Sequence, residues 1–172
     1  MVNALPERLD LRPLGRAERR LRGKLPLAGM SRLADILIEL DGSVDVDLSF
    51  ATSANGTIRI EGHVSLVAEA ACQRCLEPVR MNIEADVKLA YVEPDSTSDC
   101  GDQFEVVDFD GTSAIDTRTF VEDEIVVALP DFPRHPFGQC TAHAEVDADT
   151  DVDHPFAELK QLKSHAGEAS SD

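Results

Sequence analysis

Long apolar runs are missing from this sequence. None approaches the roughly 18 to 20 residues that would span a bilayer, and the opening stretch, MVNALPERLDLRPLGRAERR, has no contiguous apolar core of a secretory signal. The chain therefore reads as soluble, unexported and cytoplasmic, with no membrane partner. Positive charge is also scarce: 16 Lys and Arg face 33 Asp and Glu, a net charge of −17 over 172 residues. Such an acidic surface repels phosphate backbones, which excludes simple electrostatic capture of bare nucleic acid. The sequence contains no glycine-rich phosphate loop, no H-E-x-x-H and no G-x-S-x-G. No carboxylate is paired with a recognisable nucleophile, and the sequence is read as that of a non-enzyme.

The few basic residues are concentrated. Residues 1–34 carry eight, among them Arg16, Arg19 and Arg20, against three acidic ones, so the rest of the chain holds a net charge of −22. This basic segment either touches rRNA or an acidic partner, or folds back onto its own acidic body. Residues 13–22 suit a short charged helix, and 24–40 fit either a second helix or an extended segment. From Val44 onward apolar and polar residues alternate. Val44 to Phe50, Ile58 to Cys72 and Val79 to Tyr91 predict three consecutive antiparallel strands with one wet face. Asn55-Gly56 is expected to supply two positive φ values for the first turn. After a loop over 93–103, Phe104 to Phe109 is a short strand candidate. Asp116 N-caps a largely apolar helix that Pro130 and Pro133 end. An acidic loose stretch over 145–153 precedes a short helix, N-capped by Asp153, in which Phe156, Leu159 and Leu162 are the apolar positions.

The fold class is thus α+β: a curved antiparallel meander with one buried helix and short terminal helices. The expected organisation is a basic segment over 1–34, one domain over 35–163 and a disordered tail over 164–172.

Four cysteines in an unexported chain argue against a disulfide framework. Cys72-Gln73-Arg74-Cys75 lies between two strands, so its thiols converge as in the knuckle of a zinc ribbon. His135 and Cys140 would complete a closed Cys₃His zinc site, with His143 the competing fourth ligand and Cys100 a more distant one. Redox motifs of this spacing open a helix, whereas this one joins strands. In the trio Glu122-Asp123-Glu124, Glu122 falls beside the apolar stripe of the helix, where a carboxylate needs an Arg or backbone donors, from this chain or from a partner. Favourable placement near the positive end of the helix dipole explains Glu122 and Asp123 equally well.

Taken in order, Leu5-Pro6 and Leu9-Asp10, Cys72-Gln73-Arg74-Cys75, Val121 to Ile125 running into Ala128-Leu129-Pro130, His135 with Cys140, and Pro155-Phe156-Ala157 resemble the YceD family over roughly residues 5–163. The resemblance implies a bacterial or plastid protein needed for accumulation of large-subunit (23S) rRNA, and it brings no catalytic residues. Family genes commonly neighbour a gene for a small zinc-ribbon protein of the large ribosomal subunit. Combined with the charge, it suggests an acidic binding module or assembly adaptor for a basic ribosomal protein or rRNA-processing factor. Glu122, Asp123, Glu124, Arg16, Arg19 and Arg20 are the partner-binding candidates. The alternatives are a metal-dependent RNA-processing enzyme, which needs an open metal position, and a small zinc-buffering or redox protein.

Overall fold

The structure is a computed structural model that describes residues 4–94, 101–111 and 114–140. Cys100, His143, the acidic stretch 145–153, the helix expected around Phe156, Leu159 and Leu162 and the tail 164–172 lie outside them. In chain order the elements are β1 (Arg8–Leu9), α1 (Leu11–Arg16), β2 (Arg20–Pro26), α2 (Ser31–Ala34), β3 (Ser43–Thr52), β4 (Ile58–Ala71), β5 (Pro78–Val92), β6 (Glu105–Asp108), β7 (Ile115–Asp116) and α3 (Thr117–Ala128). Among the described residues no helix is long and apolar enough to cross a membrane.

The alternating stretches form the centre of a five-stranded sheet of order β2-β3-β4-β5-β6. Each pair is antiparallel except β5–β6, which is parallel. The register follows from the pattern: Phe50 faces Ile60, and Ile60 faces Leu89, so one face is apolar across the sheet. Phe120, Val121 and Ile125 of α3 are buried in the same core as Ile60, Val64 and Val87, which explains why that helix carries so much apolar surface. Asp116 caps it, its carboxylate accepting the Thr119 amide at 2.8 Å.

Two local expectations need correction. The helix expected over 13–22 ends at Arg16, and Arg20–Pro26 is an edge strand, because Leu21, Gly23 and Leu25 fall opposite Leu48, Val46 and Val44. The β3–β4 connection is longer than two residues. Gly56 donates its amide to Ser53 O at 3.0 Å, and in that turn only Gly56 adopts positive φ (87°), not Asn55.

Residues of the basic segment meet the chain's own acids. Arg20 makes a two-pronged contact with Asp47 (2.7 and 2.8 Å), Lys24 pairs with Asp45 at 2.8 Å, and Arg12 reaches Glu93 at 2.6 Å. Arg32 pairs with Asp123. The Arg20 hydrogen bonds hold the Asp47 carboxyl below its ordinary range, and the Thr119 backbone and hydroxyl do the same for Asp116. A depressed carboxyl stabilises the fold above its unfolded value near pH 4, and that contribution disappears as pH falls through the lower folded value. Replacing Asp47 and Asp116 together by Asn will therefore flatten the fall in melting temperature between about pH 5 and pH 3, read by circular dichroism.

Gly62 lies opposite Leu48 on β3, with no space for a side chain. A Cβ there would collide with the Asp47 carbonyl oxygen and the Leu48 Cα, both backbone atoms that cannot swing aside. Gly62→Ala will accordingly cost about 2 kcal/mol in denaturant unfolding, although alanine normally favours a strand over glycine.

Candidate metal centre

β4 ends at Ala71 and β5 begins at Pro78, so Cys72 to Glu77 form the tip of the longest hairpin. The Cys72 amide donates to Glu77 O and the Leu76 amide to Cys72 O, each at 2.9 Å, which folds both thiols to one side. Leu76 closes this turn in the left-handed region, with φ at 64°. After α3, Pro130 and Pro133 break the helix, and the Pro133 carbonyl accepts the Gln73 amide at 2.8 Å. That backbone bond lays the segment carrying His135 and Cys140 across the hairpin tip.

The sulfurs of Cys72, Cys75 and Cys140 and a ring nitrogen of His135 all lie within 4.8 Å of one another. Cys72 Sγ is 3.6 Å from Cys140 Sγ, and His135 Nδ1 is 3.4 Å from Cys75 Sγ and 3.7 Å from Cys140 Sγ. A tetrahedral ion with metal–sulfur bonds of about 2.3 Å has donor–donor edges of about 3.7 Å, so the four donors fit such an ion. His135 Nε2 donates to the Pro78 carbonyl at 3.0 Å, which leaves Nδ1 free as a donor to metal. Arg74 Nε donates to Cys140 Sγ at 2.8 Å. This Cys₃His cluster could hold a metal ion.

Electrostatics follow the crowding. Burial pushes the Cys72 thiol up, but amides of Cys75, His135 and Arg74 and the His135 ring outweigh it and pull it down to about 5. The Glu77 amide favours the Cys75 thiolate, yet burial and the neighbouring Cys140 and Cys72 sulfurs raise it overall. His135 is raised by Cys72 and Cys140. Mutual repulsion of this kind is what a bound cation relieves.

The acidic trio divides. Glu122 is buried, and its Oε1 accepts the Arg32 amide at 2.7 Å and the Leu33 amide at 3.2 Å, while Arg32 lies 3.5 Å from Oε2. Backbone donors and an Arg from this chain thus meet the carboxylate. Asp123 pairs with Arg32. Glu124 is raised by burial and by Glu105 and Asp123. Burial, followed by repulsion from Glu124, Asp123 and Glu105, pushes Tyr91 up to about 12. Arg16 and Arg19 are exposed and enter no ion pair among the described residues. Arg74 and the Pro78 carbonyl were not foreseen. Arg74 was legible only as a residue inside the C-x-x-C loop, and a backbone carbonyl leaves no trace in sequence.

The class defined here is an α+β domain, mostly antiparallel, with a Cys₃His cluster at one end of its sheet. The chain belongs to the YceD family: the family profile described as "Large ribosomal RNA subunit accumulation protein YceD" matches residues 60–163. The Large ribosomal RNA subunit accumulation protein YceD of Haemophilus influenzae is 30% identical over 169 residues, an alignment covering 90% of this chain and 95% of the relative. No solved structure matches the chain.

Proposed function

We propose that this chain is a cytoplasmic ribosome-assembly factor that supports synthesis, processing or stability of 23S rRNA as a non-catalytic, zinc-bearing binding module for a basic ribosomal protein or rRNA-processing factor. The family supplies the connection to large-subunit rRNA. The observation carrying the rest is the completeness of the donor set. Cys72, Cys75, His135 and Cys140 fill a tetrahedron, leaving no position for a metal-bound water, and three thiolates with one imidazole suit zinc. Zinc would clamp the segment after α3 to the β4–β5 tip. With Arg12, Arg20, Lys24 and Arg32 already engaged by the chain's own carboxylates, the surplus charge is acidic, which favours basic protein over RNA. Direct rRNA contact by the N-terminal segment falls to Arg16 and Arg19, which enter no ion pair among the described residues.

The test is the ratio of large- to small-subunit rRNA in depleted cells carrying wild-type protein or the Cys72→Ser/Cys75→Ser variant. A fall on depletion that wild type reverses and the variant does not supports assembly through the knuckle. Full rescue by the variant removes the metal from the function, and an unchanged ratio on depletion defeats the reading altogether. Rapid zinc loss to a mild chelator without change in amide exchange would favour a zinc-buffering protein instead.

A further inference from the structure

Eight large apolar side chains stand exposed among the described residues, and seven of them lie toward one end of the sheet. Ile36 and Ile38 flank Leu37, which bridges to Ala70 near the end of β4, and the Ile38 amide donates to Glu69 O at 2.9 Å. Val67 lies on the same stretch of β4, five residues before Cys72, but on the face opposite Leu66 and Ala68, away from the groove described next. Val127 is in the last turn of α3, and Phe132 adjoins the proline whose carbonyl binds Gln73. Leu76 and Phe137, 76% and 99% exposed, belong to the two loops that carry the metal donors. Val106, on β6, is the one outside this group. A single exposed Leu or Phe needs no explanation, but an apolar group gathered at one end of an acidic protein marks an interaction surface.

Between the end of β4, the end of α3 and residues 130–133 runs a groove of about 460 Å³, with Ile36, Ala71, Leu129 and Pro133 in its wall. Its charged lining residues are Asp35 and Asp131; no Lys or Arg lines it, and neither Asp is in an ion pair among the described residues. Of the cations near it, Arg74 donates to the Cys140 sulfur and Arg134 stacks on the Phe132 ring, 5.5 Å from its centre. Charge then selects the occupant. Phosphate groups and a second copy of this chain, at −17, would both bring negative charge to carboxylates. A segment with Lys or Arg beside apolar anchors would satisfy both features.

We infer that this end of the sheet is a docking surface for a basic polypeptide segment with apolar anchors, received by the groove between β4 and α3 and by Leu76 and Phe137 on the metal-bearing loops. The inference rests on the assembly-adaptor reading and says where that partner sits. Because Leu76 and Phe137 stand on loops that share one donor cluster, their presentation is fixed before binding, which lowers the ordering cost.

The experiment is a fluorescence-anisotropy titration of the full chain with a labelled amphipathic peptide of Lys, Arg, Leu and Phe. The comparison probes are the same peptide with Leu and Phe replaced by Ser, and an oligouridylate. The amphipathic peptide is expected to bind, and removal of its anchors to weaken binding about tenfold. Ile36→Ser with Phe137→Ser should weaken it by about the same factor, while Val106→Ser should leave it unchanged. Asp35→Asn with Asp131→Asn should flatten its salt dependence. The serine replacements touch exposed side chains, and matching melting curves will confirm that they fold. Binding indifferent to the Ile36 and Phe137 replacements, preference for the oligouridylate, or self-association lost in that variant would overturn the inference. So would full restoration of the rRNA ratio by that variant in depleted cells, and the assembly role would then stand without this surface. If depletion leaves the ratio unchanged, the assembly reading fails, and the peptide titration still decides the surface.

Discussion

Cys72→Ser with Cys75→Ser, which removes two donors of the proposed zinc site, will abolish zinc uptake, and amide exchange at Gln73 and Gln139 will rise about a hundredfold while β3, β4 and β5 keep their protection. The asymmetry follows from where the cluster sits. The core under α3 centres on Phe50, Ile60, Val64, Val87, Phe120 and Ile125, and towards the hairpin tip it narrows to the small side chains of Ala68 and Ala70. By contrast, the segment after α3 is held to that tip by the Gln73–Pro133 backbone bond, the His135–Pro78 bond and the donor cluster itself. Chelation of wild-type protein should reproduce the same exchange pattern, and metal content by mass spectrometry checks both. Uniform loss of protection throughout the sheet would mean that the cluster supports the whole fold rather than one loop.

Glu122→Ala will lower stability by about 3 kcal/mol, or roughly 10 °C in melting temperature, and Glu122→Gln by about 1 kcal/mol. The buried carboxylate receives the amides that open α2, from Arg32 and Leu33. Removing it leaves two donors without an acceptor under α3, whereas Gln retains one acceptor oxygen for them and loses the charge and the Arg32 contact at the other oxygen. Asp123→Ala, which cuts the exposed contact to Arg32, should cost no more than about 0.5 kcal/mol. Thermal melts of the three variants separate these cases. A loss for Glu122→Ala no greater than for Asp123→Ala would show that water reaches the two amides.

The three long strands were legible because alternation has a period of two and each runs ten residues or more, which leaves one register that buries Ile60 and Val64. The donor cluster was legible because cysteine spacing reports geometry directly. β2 was not, since Arg20, Arg22 and Lys24 alternate with Leu21, Gly23 and Leu25 in a segment whose composition also suits a helix; the apolar residues and the carboxylates of β3 across the ladder decide it. The role of Glu122 was half-visible: its position beside the apolar stripe demanded donors, but those donors are backbone amides ninety residues away. The apolar end face was hidden for a similar reason, as its members come from four separated stretches of chain.

β1 pairs with β7, Arg8 opposite Asp116, and the Thr117 amide and hydroxyl bind the carbonyls of Glu7 and Pro6. During synthesis residues 6–9 must therefore wait for residue 117 before they have a place to lie. His135 and Cys140 emerge later still, about one to five seconds afterwards at usual elongation rates. Cys72 and Cys75 thus spend the interval as an open pair, able to take up an ion before the last two donors arrive. Nascent chains stalled short of residue 135 would hold the proposed zinc only loosely, through two thiolates, until His135 and Cys140 clear the exit tunnel.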